Sequence, residues 1–308
     1  MRAFVFPGQG AQAIGMGKAL ADAYPAAKAV FDEVDAALGA NLSDLIWNGE
    51  ADVLTLTENA QPALMATSIA AMRALESEGY GIGDAAYVAG HSLGEYSALC
   101  AAGAISLGDT ARLLRIRGRA MQAAVPVGVG AMAALLGLDF AAATEVAAEA
   151  AQGQTCQAAN DNDPGQVVVS GHREAIERAV EIAKAKGAKR ALLLPVSAPF
   201  HCELMSPAAA AMAEALDNVE ILAPKVPLVA NVVAHDINDP AEIRNLLVQQ
   251  VTGSVRWRES VSWMVAQGVT EFWEIGAGKA LSGMIRRIEK SAECRAVGNP
   301  DDIVALKA

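Results

Sequence analysis

Few residues in this 308-residue chain have the type and spacing to do chemistry, and the clearest is a serine between two glycines. Gly90-His91-Ser92-Leu93-Gly94 follows an apolar run, Ala85 to Ala89, and leads into a helical run, Leu93 to Ala102. Gly-x-Ser-x-Gly on a strand-to-helix turn is a nucleophile elbow. The turn pushes the serine hydroxyl out to one side. Glycines on either side lack Cβ atoms, so strand and helix can cross closely beneath it. The helix that follows aims free N–H groups at negative charge collecting above Ser92. The chemistry implied is attack on an acyl carbonyl. The alternative is a chance match in a chain with 27 glycines. The strand before and the helix after argue against chance.

A serine needs a base to become a nucleophile, and the chain offers four histidines. His201 lies in a loop between a strand, Arg190 to Leu194, and a helix, Leu204 to Leu216, where a mobile base belongs. It ranks first. His235, beside Asp236 at the end of a strand, Val226 to Ala234, ranks second with little separation. His91 reads as structural and His172 as solvated. A second informative stretch is the helix Leu107 to Ala123. At 100° per residue, Arg112, Arg115, Arg119 and Gln122 share its polar face. Arg117 falls instead among Leu113, Leu114, Ala120 and Met121. A buried arginine needs a partner. Two readings stand level: an internal salt bridge, or a guanidinium kept for a substrate carboxylate, which it grips with two parallel hydrogen bonds. Phe6-Pro7-Gly8-Gln9-Gly10 is a Gly-rich loop after the first strand. It lacks a dinucleotide or P-loop pattern, and by itself it reads as a tight turn.

The elements that must hold these residues alternate between strand and helix. Residues 17 to 50 read as helical, residues 57 to 62 as a loop, and Pro62 as the first turn of a helix from Ala63 to Glu78. Pro126 to Gly130 reads as a hinge. After it the pattern is strand (Ala131 to Leu138), helix (Phe140 to Ala151), strand (Thr155 to Ala159), turn (Asn160 to Gly165), strand (Gln166 to Ser170), helix (Arg173 to Lys186) and strand (Arg190 to Leu194). That order is βαββαβ, the ferredoxin-like unit. The chain then resumes with the strand Val226 to Val233, helices Glu242 to Gln250 and Arg258 to Gly268, the strand Glu271 to Ile275, and a capping loop, Gly276 to Gly278. The expected fold class is α/β. A large α/β-hydrolase-like body with a mainly parallel sheet, residues 1–125 and 197–308, carries an inserted small ferredoxin-like subdomain, residues 126–196.

Composition narrows the class. The chain is 53% hydrophobic and 19% charged, which suits a folded core. With 24 basic and 35 acidic residues its net charge is −11. That charge argues against nucleic acid as a partner. Four scattered cysteines, with neither a C-x-x-C pair nor zinc-finger spacing, suit a reducing compartment. No signal peptide is seen and no apolar run is long enough to span a bilayer, so the expectation is a cytoplasmic monomer without membrane attachment.

As an ordered set, several stretches resemble the malonyl-CoA:acyl-carrier-protein transacylases. They are Phe6 to Gly10, Ala60-Gln61-Pro62-Ala63-Leu64, Gly90 to Glu95, Arg117 with Met121-Gln122, Asn162 to Gln166, Phe200-His201-Cys202, Gln250 and Glu274-Ile275-Gly276. The resemblance spans essentially the whole chain. It implies Ser92 as nucleophile and His201 as base, with the histidine oriented by the main-chain carbonyl of Gln250 instead of an acid. It implies an oxyanion hole from the N–H groups of Gln9 and Leu93, so the Gln9 loop becomes functional. Arg117 would bind the free carboxylate of a malonyl group. Gln61, Met121, Asn162 and Phe200 would line the pocket, and the bulky Phe200 would leave little room for an α-methyl branch. The implied activity is ping-pong transfer of malonyl from malonyl-CoA to acyl carrier protein in fatty acid biosynthesis, with no cofactor and no metal. Asp163, Ser254, Ala277 and Ala198-Pro199 depart from the family's usual residues. Three other readings remain: a free-standing acyltransferase serving polyketide carrier domains, a serine esterase or thioesterase, and a non-catalytic binding or scaffold protein that keeps the elbow only as structure. Lys184, Lys186, Lys189, Arg190, Arg286 and Arg287 are candidate docking residues for an acidic carrier.

Overall fold

The computed structural model describes residues 1–307. Ten strands form two sheets: β1 (Arg2–Phe6), β2 (Tyr87–Gly90), β3 (Gly130–Leu136), β4 (Cys156–Asp163), β5 (Gln166–His172), β6 (Arg190–Leu193), β7 (Leu228–Val229), β8 (Asp236–Ile237), β9 (Glu271–Ile275) and β10 (Glu293–Val297). The larger sheet runs β10-β9-β1-β2-β7-β8 and is parallel except for the terminal β7–β8 pair. Its centre is covered on both faces, which explains the unbroken apolar run of β1. Phe4 and Phe6 point into a core that includes Leu64 and Leu99, whereas Ala3 and Val5 point into a second core around Trp257 and Val261. Period-two alternation thus feeds two layers of helices from one strand.

The smaller sheet is antiparallel in the order β4-β5-β3-β6, which is the ferredoxin-like arrangement. One face packs on its own helices, Phe140–Ala151 and Arg173–Ala185, through Ala133, Leu135, Val167 and Val169. The other face, with Met132, Ala134 and Val168, joins the main core. The α/β class and the two-sheet plan therefore match the expectation.

Several boundaries differ from the sequence reading. Residues 17 to 50 break into three helices, Lys18–Ala23, Pro25–Leu38 and Leu42–Asn48, interrupted before Pro25 and at Gly39, whose φ is 59°. The helix placed at 63–78 spans Thr57–Ser77, so Pro62 lies inside it and not in its first turn. The turn placed at Asn160 to Gly165 shrinks to Pro164-Gly165, because residues 160–163 extend β4. Polarity suggested a turn there, but tertiary partners satisfy these side chains. Asp161 pairs with Arg258 at 2.8 Å, Asp163 with Arg287 at 2.7 Å, and Asn162 Oδ1 lies 2.8 Å from His91 Nε2. Register shifts fall on either side of Asn160-Asp161, and Asn160 also bridges to Val255 of the body. The strand expected from Val226 to Val233 is only two residues long, since the chain turns back from Ala230 to pair β7 with β8. No helix among the described residues is long and apolar enough to cross a membrane.

Candidate active site

Both partners of the central hydrogen bond sit in left-handed backbone. Ser92 has φ 54° and His201 φ 59°, a region that residues with side chains rarely occupy. For Ser92 the cause is the elbow. Strand β2 ends at Gly90 and the next helix, Gly94–Ala101, begins four residues on. A Cβ on Gly90 would lie 1.9 Å from the Gly94 carbonyl carbon, and one on Gly94 would lie 2.2 Å from the Phe6 oxygen. Asn231 braces the turn from the side. Its Oδ1 accepts the Ser92 N–H at 2.8 Å and its Nδ2 donates to the Gly90 carbonyl at 2.7 Å.

The Ser92 Oγ lies 2.8 Å from His201 Nε2, and His201 Nδ1 lies 2.9 Å from the Gln250 carbonyl oxygen. A carbonyl can only accept, so this geometry assigns the proton to Nδ1 and leaves the Nε2 lone pair facing the hydroxyl. Burial, reinforced by the charge of Arg117, pushes His201 down to about 3. The imidazole is neutral and free to take a proton. A neutral carbonyl orients it here, where other serine sites use a carboxylate.

Arg117 is 1% exposed, from the helix Leu107–Ala123. Its Nη1 donates to Gln61 Oε1 at 2.7 Å, and its Nη2 to Gln250 Oε1 at 2.8 Å and Ser92 Oγ at 3.2 Å. Its Nε has no partner among the described residues. None of its partners is a carboxylate, so the internal salt bridge, one of the two readings of this residue, is not what holds it. Burial lowers its pKa, opposed by the nearby Tyr96 and Glu95 side chains, while the groups it bonds directly are neutral.

A cavity of about 460 Å³ opens onto this cluster between the body and the small sheet. Gln9, Gln61, Ser92, Leu93, Arg117, Met121, Asn162, Phe200 and His201 all line it. Gln250 stands behind them, bonded to both His201 and Arg117. The N–H groups of Gln9 and Leu93 find no acceptor among the described residues and are available to an oxyanion. Met121 Sδ sits 3.7 Å from Gln61 Nε2.

The other histidines stand apart from this reaction centre in different ways. His235 is exposed and its Nδ1 contacts the Asp236 carbonyl, so it is not a rival base. His172 accepts the Thr155 N–H at 2.9 Å. His91 lines the cavity but is occupied by Asn162. Of the basic docking candidates, Lys184 and Lys186 form exposed ion pairs with Glu181 and Glu149, and Arg287 is tied to the buried Asp163.

Two buried residues escaped the sequence reading. Asn231 interrupts the apolar run Leu228 to Val233, and that interruption was its only signal. Glu95 is fully buried. Its Oε2 accepts from Asn231 N at 2.9 Å and from Gln250 Nε2 at 3.1 Å. Burial raises its carboxyl to about 7 against the opposing pull of those donors. Its signal was a charge in a helix start otherwise made of small and apolar residues.

A strained serine on a parallel-sheet elbow, a neutral histidine 2.8 Å from its hydroxyl and two nearby backbone donors without an acceptor among the described residues have the chemistry of an acyl-transfer site. The chain belongs to the acyl transferase domain family, whose model matches residues 3–301. It is 48% identical over 302 residues to the malonyl CoA-acyl carrier protein transacylase of Bacillus subtilis (strain 168), covering 98% of this chain and 94% of that one. Among solved structures it is similar to the acyl-carrier-protein-S-malonyltransferase of Bartonella henselae, with TM-score 0.97, 58% identity and 99% and 98% of the two chains covered. It is also similar to a malonyl-transacylase solved in complex with a type II polyketide synthase acyl-carrier protein, with TM-score 0.96, 43% identity and 99% and 98% coverage.

Proposed function

We propose that this chain transfers the malonyl group of malonyl-CoA to the phosphopantetheine thiol of an acyl carrier protein, in fatty acid biosynthesis. The observation that carries the reading is Arg117. It is a buried guanidinium with no carboxylate of its own, and its Nη2 lies 3.2 Å from the Ser92 hydroxyl. An acyl group on Ser92 that ends in a free carboxylate supplies the missing anion. A neutral ester does not. The names of the similar proteins support the same substrate pair.

In this reading His201 Nε2 takes the Ser92 proton as Oγ bonds to the thioester carbonyl carbon. The oxyanion is held by the N–H groups of Gln9 and Leu93, each worth about 2.7–4 kcal/mol in comparable sites. The C–S bond breaks and coenzyme A leaves with the proton from His201. The carrier thiol then gives its proton to His201, attacks the malonyl ester, and Ser92 Oγ recovers the proton as it departs. No step calls for a metal or a redox cofactor. Gln61, Met121, Asn162 and Phe200 shape the pocket. The cytoplasm is the compartment we assign, supported by four free cysteines. We also assign residues 126–196 as the inserted subdomain of a body formed by 1–125 and 197–308, supported by its separate sheet and core.

Incubation with labelled malonyl-CoA should add a malonyl mass to the Ser92 peptide, and Ser92→Ala should abolish it. Adding purified carrier proteins of the fatty-acid and polyketide kinds then identifies the acceptor. The similarity to the polyketide complex makes that carrier the second reading. A malonyl-enzyme that is discharged by water as fast as by either carrier would instead mark a hydrolase.

A further inference from the structure

Gln250 presents its side-chain oxygen, not its nitrogen, to Arg117, and that choice has a structural cause. An amide can turn over, which would set its NH₂ group against the guanidinium, donor against donor. What opposes the turn is the surroundings of Nε2. It faces the Ser92 carbonyl at 2.9 Å, Glu95 Oε2 at 3.1 Å and Asn231 Oδ1 at 3.4 Å. Glu95 Oε2 can accept from Gln250 Nε2 in either protonation state, because a proton can sit on Oε1, which has no partner among the described residues. Glu95 is itself fixed, because Oε2 also receives the Asn231 N–H at 2.9 Å and the whole residue is fully buried.

We propose that Glu95 is a positioning residue for acyl selectivity: by holding Gln250 Nε2 it keeps Gln250 Oε1 on Arg117, and so aims the guanidinium at the free carboxylate of the acyl group. The inference rests on the malonyl-transfer reading above. Glu95 touches neither substrate nor reacting atoms. It stands behind Gln250, where it shapes Arg117 without occupying the nitrogens that a substrate would use. A direct Glu95–Arg117 pair would have filled those nitrogens.

The test compares acylation of Ser92 by malonyl-CoA with acylation by the uncharged probe p-nitrophenyl acetate, followed by intact mass. Glu95→Ala removes the acceptor, and Glu95→Asp withdraws it by one methylene while keeping the charge. Each should raise the half-saturating malonyl-CoA concentration about tenfold, the scale of one lost buried hydrogen bond. Each should change the rate with the uncharged probe by less than about threefold, the margin expected when that bond is not used. Glu95→Asp decides the matter if Glu95→Ala does not fold by thermal melting. Glu95→Gln keeps an acceptor oxygen and should stay near wild type. In a Gln250→Leu background, which retains the backbone carbonyl, Glu95→Asp should add nothing. Equal losses on both acyl donors, unchanged malonyl saturation, full additivity with Gln250→Leu, or a malonyl-specific loss in Glu95→Gln as large as in Glu95→Ala would each overturn the proposal. A wild-type protein that takes no malonyl group at all would overturn the activity reading instead.

Discussion

Arg117 Nη2 lies 3.2 Å from Ser92 Oγ, so a buried cation touches the hydroxyl that the proposed function would acylate. Replacing Arg117 with alanine removes the one Arg or Lys side chain among the described residues lining the cavity. Loss of one partner of a buried charged contact costs about 2–5 kcal/mol. The expected result is a fall in malonyl transfer of roughly 10²-fold or more, with uncharged acyl groups better tolerated. Steady-state kinetics with malonyl- and acetyl-CoA measures both. Unchanged malonyl kinetics would remove the carboxylate role.

His201 should behave as a base that stays unprotonated far into acid. Its folded pKa is depressed to about 3 by burial and then by Arg117, against about 6.5 in an unfolded chain. The acid limb of the rate–pH profile should therefore fall well below pH 6. Replacing His201 with alanine should cost about 10²–10⁴-fold in acylation, the usual worth of a positioned general base. An acid limb centred near 6.5 in the free enzyme would contradict the buried, neutral imidazole.

The same two buried groups bend the stability curve in opposite directions. Between pH 6.5 and 3 the unfolded His201 binds a proton that the folded one refuses, so stability drops as pH falls through that window. Glu95 runs the other way. Its folded pKa is raised from 4.5 to about 7 by burial, so the folded state keeps a proton that the unfolded state has lost. Stability from this group falls as pH rises from 4.5 to 7. Glu95→Gln should gain melting temperature relative to wild type at pH 8 and gain less at pH 5. Equal shifts at both pH values would mean that Glu95 does not titrate in this range.

In the contact between the small sheet and the body, losing Arg258 should cost more than neutralising Asp161. Asp161 is fully buried, while its partner Arg258 keeps a third of its side chain exposed. Burial raises the Asp161 pKa in spite of Arg258, so the pair only partly offsets the desolvation. Arg258→Ala should destabilise by about 1–3 kcal/mol, because it leaves an acid buried without its charge partner. Asp161→Asn should cost less. Denaturant melts of the two variants decide the order, and a reversed order would show that the Asp161 carboxyl is not left unpaired when Arg258 is lost.

Phe200 should limit acyl width. It lines the cavity beside His201. Phe200→Ala should raise the competitive use of methylmalonyl-CoA over malonyl-CoA by about 10-fold, the lower end of discrimination by a single methyl group. A competition assay with both thioesters measures the ratio. No change would place the branch point elsewhere in the pocket.

The sequence by itself determined the elbow, most of the strand-and-helix order and a short set of candidate reacting groups, because these depend on local rules. Gly90 and Gly94 announce a turn too tight for Cβ atoms, and the small-sheet pattern reads from periods of two and 3.6. Arg117 was visible as a charge inside an apolar stripe, but its partner was not. That partner comes from residues 56 and 133 positions away, Gln61 and Gln250, which only the packing of helices brings together. The same limit explains Asn160 to Asp163. Their polarity suggested a turn in isolation, and distant arginines and a histidine made them a strand. Tertiary structure also decided between His201 and His235, since burial and a carbonyl at 2.9 Å favour one and solvent holds the other. Nearest-neighbour preferences set where a chain bends. Long-range contacts set which polar groups are left without an internal partner, and those are the groups a substrate can use.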